Sequence, residues 1–125
     1  MQLVHRGLAA LAILALAGCG KSVDAKREDI IKCSAFSMGL INVPPGSPLL
    51  SSVEASLAKD GITGAQTFSM GNAAQKYAAA MDPAKVTRLA QEGSSAAADL
   101  VRNKDATGIA DYLKGCVATY KDLGS

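Results

Sequence analysis

The sequence has few aromatic residues and almost no histidine. Its 125 residues contain no tryptophan, aromatic residues make up 4% of the chain, and His5 is the only histidine. Glycine and proline, with 12 and 4 residues, are too few for a collagen-like or mucin-like chain. The formal net charge is only +2, so the chain has no strong general attraction to nucleic acid. With 49% apolar and 19% charged residues, the composition indicates one globular domain.

The N-terminal segment has the pattern of an export signal. Arg6 precedes an uninterrupted apolar run of ten residues, 7–16, and this run leads into Leu16-Ala17-Gly18-Cys19. Ten residues are too few for a membrane span of about 20, but they suit the apolar region of a secretory signal. The segment resembles the signal of bacterial lipoproteins, in which leucine and two small residues precede a cysteine.

This resemblance implies cleavage before Cys19, with diacylglycerol on its sulfur and an acyl chain such as palmitate on its amine. We therefore predict a signal peptide over residues 1–18, a lipidated tether over 19–25 and a helical domain over 26–125. Such a protein is anchored to the bacterial envelope and faces the periplasm. The choice between inner and outer membrane stays open, because Gly20, Lys21 and Ser22 match different sorting rules. An ordinary secretory signal, with Cys19 left as a spare thiol, is the alternative.

Removal of the signal peptide would also remove His5, and with it several kinds of catalysis. Ser-His-Asp and Cys-His mechanisms both need a histidine, as do Cys-His zinc sites. The acidic residues are scattered along the chain and form no calcium-loop pattern. We therefore expect no catalytic residues, no metal ligands and no cofactor, and we interpret the protein as a non-enzyme.

Two cysteines remain besides Cys19, and in an oxidising compartment they are expected to pair. Cys33–Cys116 is then the only intramolecular disulfide available. Cysteines of redox pairs usually lie close together as Cys-x-x-Cys, which disfavours a redox role for residues 83 positions apart. Free thiols or intermolecular bonds are the remaining alternatives.

The domain is alanine-rich and lacks convincing strand patterns, so we predict an all-α fold, a small bundle of about five helices. The first and last helices would be joined by the disulfide, because Cys33 and Cys116 each lie within an apolar stripe. Small residues around Gly93 in the fourth helix predict a close approach to a neighbouring helix. Expected helix bounds are 24–41, 48–59, 64–81 with a kink or break near Gly71, 83 to about 101, and 106–121.

The loop over residues 42–48 is the predicted partner-binding site, since a rigid proline-rich loop loses little entropy on binding. Its candidate contact residues are Val43, Pro44, Pro45 and Leu49, and a simple connector is the alternative. The short leucine-rich second helix is expected to expose part of its face beside this loop.

The chain resembles, in architecture only, the small two-cysteine helical lipoproteins of bacterial envelopes. Some of these are immunity or inhibitor proteins, and others are accessory subunits of secretion, pilus or transport complexes. The resemblance implies a protein-binding module with an envelope protein as partner, held at the membrane by its lipid, with no nucleic acid or small-molecule substrate. An apolar pocket of a few hundred Å³ would instead favour a small-ligand carrier.

Overall fold

The structure is a computed structural model that describes residues 21–124. The prediction of an all-α bundle is confirmed, because the described residues form five helices and no strand. The helices are α1 (Val23–Gly39), α2 (Pro48–Lys59), α3 (Gly64–Ala79), α4 (Pro83–Arg102) and α5 (Ala106–Gly124).

Side chains that cap the first turns explain where the helices begin. Ser22, Ser47, Thr63 and Asp82 each accept a hydrogen bond from the backbone N–H three residues later. Proline follows the cap at the first position of α2 and α4, where its missing N–H has no intrahelical partner to lose. Asp105 accepts the Gly108 N–H in the same way at the start of α5.

Helix α1 lies at the centre of the bundle and packs against α3, α4 and α5. It runs parallel to α4, since Glu28 pairs with Lys85 near the start of both helices and Gly39 meets Ala97 near their ends. It runs antiparallel to α3 and α5, since Arg27 lies over Tyr77. Lys26 likewise pairs with Asp122 in the last turns of α5.

The bundle therefore has two distinct ends. The start of α1, the Val23 end, lies beside the last turns of α3 and α5. The Gly39 end carries the start of α3 and of α5, together with α2, which packs principally against α5.

The core consists of two clusters along α1. Near the Val23 end, Ile30 and Cys33 pack with Met70, Ala74 and Cys116. Nearer the Gly39 end, the second cluster is formed by Phe36, Val53, Ala97, Ile109 and Leu113. All of these side chains are buried, so the disulfide and the central phenylalanine come from the same face of α1.

Several predicted details differ from the structure. Helix α1 begins at Val23, so residues 23–25 of the predicted tether are helical, and it ends at Gly39 rather than at Ile41. Helix α3 continues without a break through Gly71. Ile41, inside the predicted first helix, and Phe68 of α3 lie outside the core, because their side chains are 69% and 73% exposed.

Candidate functional site

The predicted disulfide is present and joins the first helix to the last. Cys33 and Cys116 lie on facing sides of α1 and α5 with their Cα atoms 5.9 Å apart. The two residues are 5% and 3% exposed. A buried disulfide between two packed helices is typical of a structural link, since reactive cysteines need access to their partners.

A shallow depression beside the disulfide contains the most perturbed titratable group of the described residues. The Tyr112 ring stacks on Phe36 with centroids 3.8 Å apart and planes 7° from parallel. Desolvation by burial, followed by the negative charges of Asp29 and Glu92, raises the pKa of Tyr112 above its usual value. Its phenol therefore stays neutral to a higher pH than the phenol of an ordinary tyrosine. Lys32 pairs with both carboxylates and Lys21 pairs with Asp29, so two cations compensate these two negative charges.

The predicted partner-binding loop divides into buried and exposed residues. Val43 is only 9% exposed, and Leu49 packs against the second core cluster. Pro44 and Pro45 are exposed, and the Pro44 carbonyl accepts the Ser47 N–H at 3.2 Å in a tight turn. In this conformation Val43 offers no side chain to a partner. Partner binding by the two prolines stays a prediction.

An apolar groove opens next to this loop, at the Gly39 end of the bundle. It has a volume of about 410 Å³ and lies between α2 on one side and the end of α1 with the start of α3 on the other. Leu50 and Leu57 of α2, Leu40 at the end of α1 and the buried Leu113 of α5 all line it. The predicted partial exposure of α2 therefore takes the form of one wall of this groove. We use the term apolar groove for the space lined by Ser37, Leu40, Leu50, Val53, Glu54, Leu57, Ile62, Thr63, Gly64, Thr67 and Leu113.

The apolar groove contains residues that sequence reasoning had not selected as a site. None of residues 42–48 lines it, although the lining residue Leu50 comes only two positions after this loop. Ile41 and Phe68 directly follow the lining residues Leu40 and Thr67 in the chain and are largely exposed, so two further large apolar side chains are open to solvent at this end of the bundle. The available signal was the presence of three leucines, Leu49, Leu50 and Leu57, in a short helix beside the proline-rich loop.

Other kinds of site have little support among the described residues. Within residues 21–124 no three histidine, cysteine or acidic side chains converge as metal ligands. None of the helices in this part of the chain is both long and apolar enough to cross a bilayer. Cys19, the predicted lipidation site, lies outside the described residues.

Comparison with known proteins gives no match to a protein-family model, a curated protein or a solved structure.

Proposed function

We propose that the protein is a non-catalytic, lipid-anchored module of the bacterial envelope that binds a protein partner through the apolar groove. The observation that carries this proposal is the apolar groove together with Ile41 and Phe68 at the Gly39 end of the bundle. Exposed apolar surface with a groove beside it is a common feature of protein interaction sites, because covering it removes apolar area from water.

The position of the groove suits a protein held at the membrane by its N-terminus. Cys19 precedes the first residue of α1 by four positions, so a lipid on Cys19 would hold the Val23 end close to the bilayer. The 17 residues of α1 span roughly 25 Å, which would place the groove on the far side, facing the periplasm. A partner arriving from the periplasm would meet this surface first.

Two biological roles use this surface in the same way. An immunity or inhibitor protein would cover part of a secreted toxin, whereas an assembly subunit would hold another component of an envelope complex. A small-ligand carrier is the second candidate function, and it is favoured by a volume within the range of about 300–1,000 Å³ found for ligand pockets. The exposed side chains beyond the rim favour the larger partner.

Site-specific photo-crosslinking in the cells that produce the protein tests the proposal. A photoreactive phenylalanine replaces the exposed Phe68, which follows the groove-lining Thr67, or, as a control, Arg88, which is exposed in the first half of α4. We expect one discrete crosslinked protein from position 68 and none from position 88. Leu50→Glu should abolish that crosslink, because it places a charge on the apolar wall. Equal crosslinking from both positions would contradict the proposal.

Metabolic labelling with palmitate tests the anchor separately. We expect the protein to carry the label and the Cys19→Ala variant to lose it and leave the membrane fraction. An unlabelled wild-type protein would contradict the anchor and leave the groove to be judged by crosslinking.

A further inference from the structure

We infer that the apolar groove binds a peptide segment with several apolar side chains and one lysine or arginine opposite Glu54. This inference rests on the proposed function and specifies the chemistry of the partner. It follows from the distribution of charge around the groove.

Glu54 is the only charged side chain among the groove-lining residues. It is exposed on α2, one position after buried Val53, and forms no ion pair with any residue of 21–124. The nearby cation of α5, Lys114, is already engaged, since its Nζ lies 3.0 Å from Asp60 and 3.1 Å from the Ser56 hydroxyl. The net charge of the groove wall is therefore negative.

The start of α3, which forms the opposite rim, does not reverse this sign. A free helix N-terminus attracts anions through its unpaired N–H groups. Here the Thr63 hydroxyl accepts the Gln66 N–H, and the Gln66 carboxamide oxygen accepts the Thr63 N–H at 3.0 Å. The Thr67 hydroxyl also donates to the Gly64 carbonyl at 2.8 Å. The capping box therefore occupies two of the N–H groups that would attract an anion to this rim, and the unpaired Glu54 on the facing wall favours a cation.

The extent of the apolar surface favours a peptide over a small amphiphilic amine. A molecule that fills about 410 Å³ would leave Ile41 and Phe68 uncovered, since neither residue lines the groove. A peptide could place one apolar side chain against Leu50 and Leu57 and others on these two residues. Its lysine or arginine would then reach Glu54 at the rim, where the charge stays partly hydrated.

Selection from a displayed library of random 12-residue peptides, with the purified full-length protein as bait, tests the inference. We expect the wild-type protein to enrich apolar peptides containing lysine or arginine. Glu54→Lys should enrich aspartate or glutamate instead. Asp111→Lys is the matched control, since it reverses an exposed acidic residue of α5 outside the groove, and it should select as wild type. A wild-type-selected peptide should bind Glu54→Lys about 3- to 30-fold more weakly, because an attraction becomes a repulsion.

The outcomes separate the inference from the proposed function. Enriched apolar peptides without a basic bias, or with the same bias on Glu54→Lys, would overturn the inference while peptide binding itself stands. Failure to enrich any peptide would also overturn it, and crosslinking from position 68 would still decide the proposed function. Binding that survives Leu50→Glu would place the peptides elsewhere and count against both. Tighter binding of dodecyltrimethylammonium than of any peptide would identify a small cationic amphiphile as the occupant and overturn the inference.

Discussion

At the scale of single residues, the contact between α1 and α4 depends on the absence of side chains. A Cβ atom added to Gly93 would lie 2.2 Å from the Lys32 carbonyl oxygen and 3.0 Å from the Ala35 Cβ. One added to Gly39 would lie 2.9 Å from the Ala97 Cβ. The backbone of α4 therefore approaches α1 closely, and a side chain at Gly93 would prevent this approach.

Gly93→Ala should destabilise the protein, although alanine is the better helix former. The methyl group cannot fit against a backbone carbonyl unless the helices separate, and overpacking of this kind costs about 1–3 kcal/mol. The gain in helix propensity offsets only about 0.5–1 kcal/mol of this.

Urea unfolding measures the change in the free energy of unfolding between the variant and the wild type. Gly115→Ala is the matched control, since Gly115 is helical with open space around it, and this variant should be more stable than wild type by about 0.5–1 kcal/mol. A Gly93→Ala variant as stable as Gly115→Ala would contradict the close packing.

The sequence predicts that α4 approaches a neighbour closely near Gly93, but it does not identify that neighbour. The signal is the run of small residues, which has the same appearance whichever helix it faces.

The buried face of α3 was also not fully predictable from the sequence. Phe68 and Met70 lie about 200° apart around a helix, so one core can take only one of them. Met70 is buried because it shares one face of α3 with Ala74 and Tyr77, which pack in the same core cluster. Phe68 lies on another face and is exposed to solvent.

At the scale of elements, α2 and α4 end with the same backbone motif but with different residues. After α2, the Gly61 N–H bonds to the Ala58 carbonyl and the Ile62 N–H to the Leu57 carbonyl. After α4, the Lys104 N–H bonds to Val101 and the Asp105 N–H to Leu100. Both pairs of bonds form the Schellman motif, which requires a left-handed residue just past the helix.

Lys104→Gly should stabilise the protein by up to about 1 kcal/mol. Gly61 has a φ of 71°, which glycine adopts freely, whereas Lys104 has a φ of 52° despite its side chain. Left-handed backbone costs about 1–2 kcal/mol for an ordinary L-residue, and glycine removes this cost. The net gain is smaller, because glycine also has the larger conformational entropy in the unfolded state. Lys104 forms no ion pair within residues 21–124 that the substitution would break.

The reverse change, Gly61→Ala, should destabilise by about 1 kcal/mol for the same reason. Thermal unfolding of both variants under identical conditions makes the comparison. Shifts of the same sign for the two substitutions would show that the backbone conformation at these positions does not control stability.

The predictability of the helix ends follows from the same chemistry. The bounds of α2 agree with the prediction at both ends, because Ser47-Pro48 and Gly61 are strong local signals. The left-handed residue after α4 is a lysine, which carries no such signal. The apolar groove was not predictable as a site, because its walls come from α1, α2 and α3. Its position depends on how far α2 stands from α1, which no local pattern encodes.

At the scale of the whole molecule, the disulfide compensates for a core with few large side chains. The second core cluster contains Phe36 as its only buried aromatic residue, and the largest fully buried side chains otherwise are aliphatic or thioether groups. The closest contact between α1 and α4 involves small residues, Gly39, Gly93 and Ala97, which bury little apolar area each. A covalent link between the first and last helices restricts the unfolded chain instead of adding packing to the folded one.

Loss of the Cys33–Cys116 bond should therefore be the most destabilising of these changes. Closing a loop of 83 residues is expected to contribute about 4–5 kcal/mol on the chain-entropy account, a large share of the 5–15 kcal/mol typical of a domain. Guanidinium unfolding of the wild type with and without a phosphine reductant measures this difference. In the Cys33→Ala/Cys116→Ala variant the reductant should have no effect, which separates loss of the bond from other effects of the reagent.

The reduced protein should keep its helical content in the absence of denaturant, because a link that constrains mainly the unfolded state leaves native contacts in place. A reduced wild type that unfolds at the same guanidinium concentration as the oxidised form would refute the stabilising role of the bond.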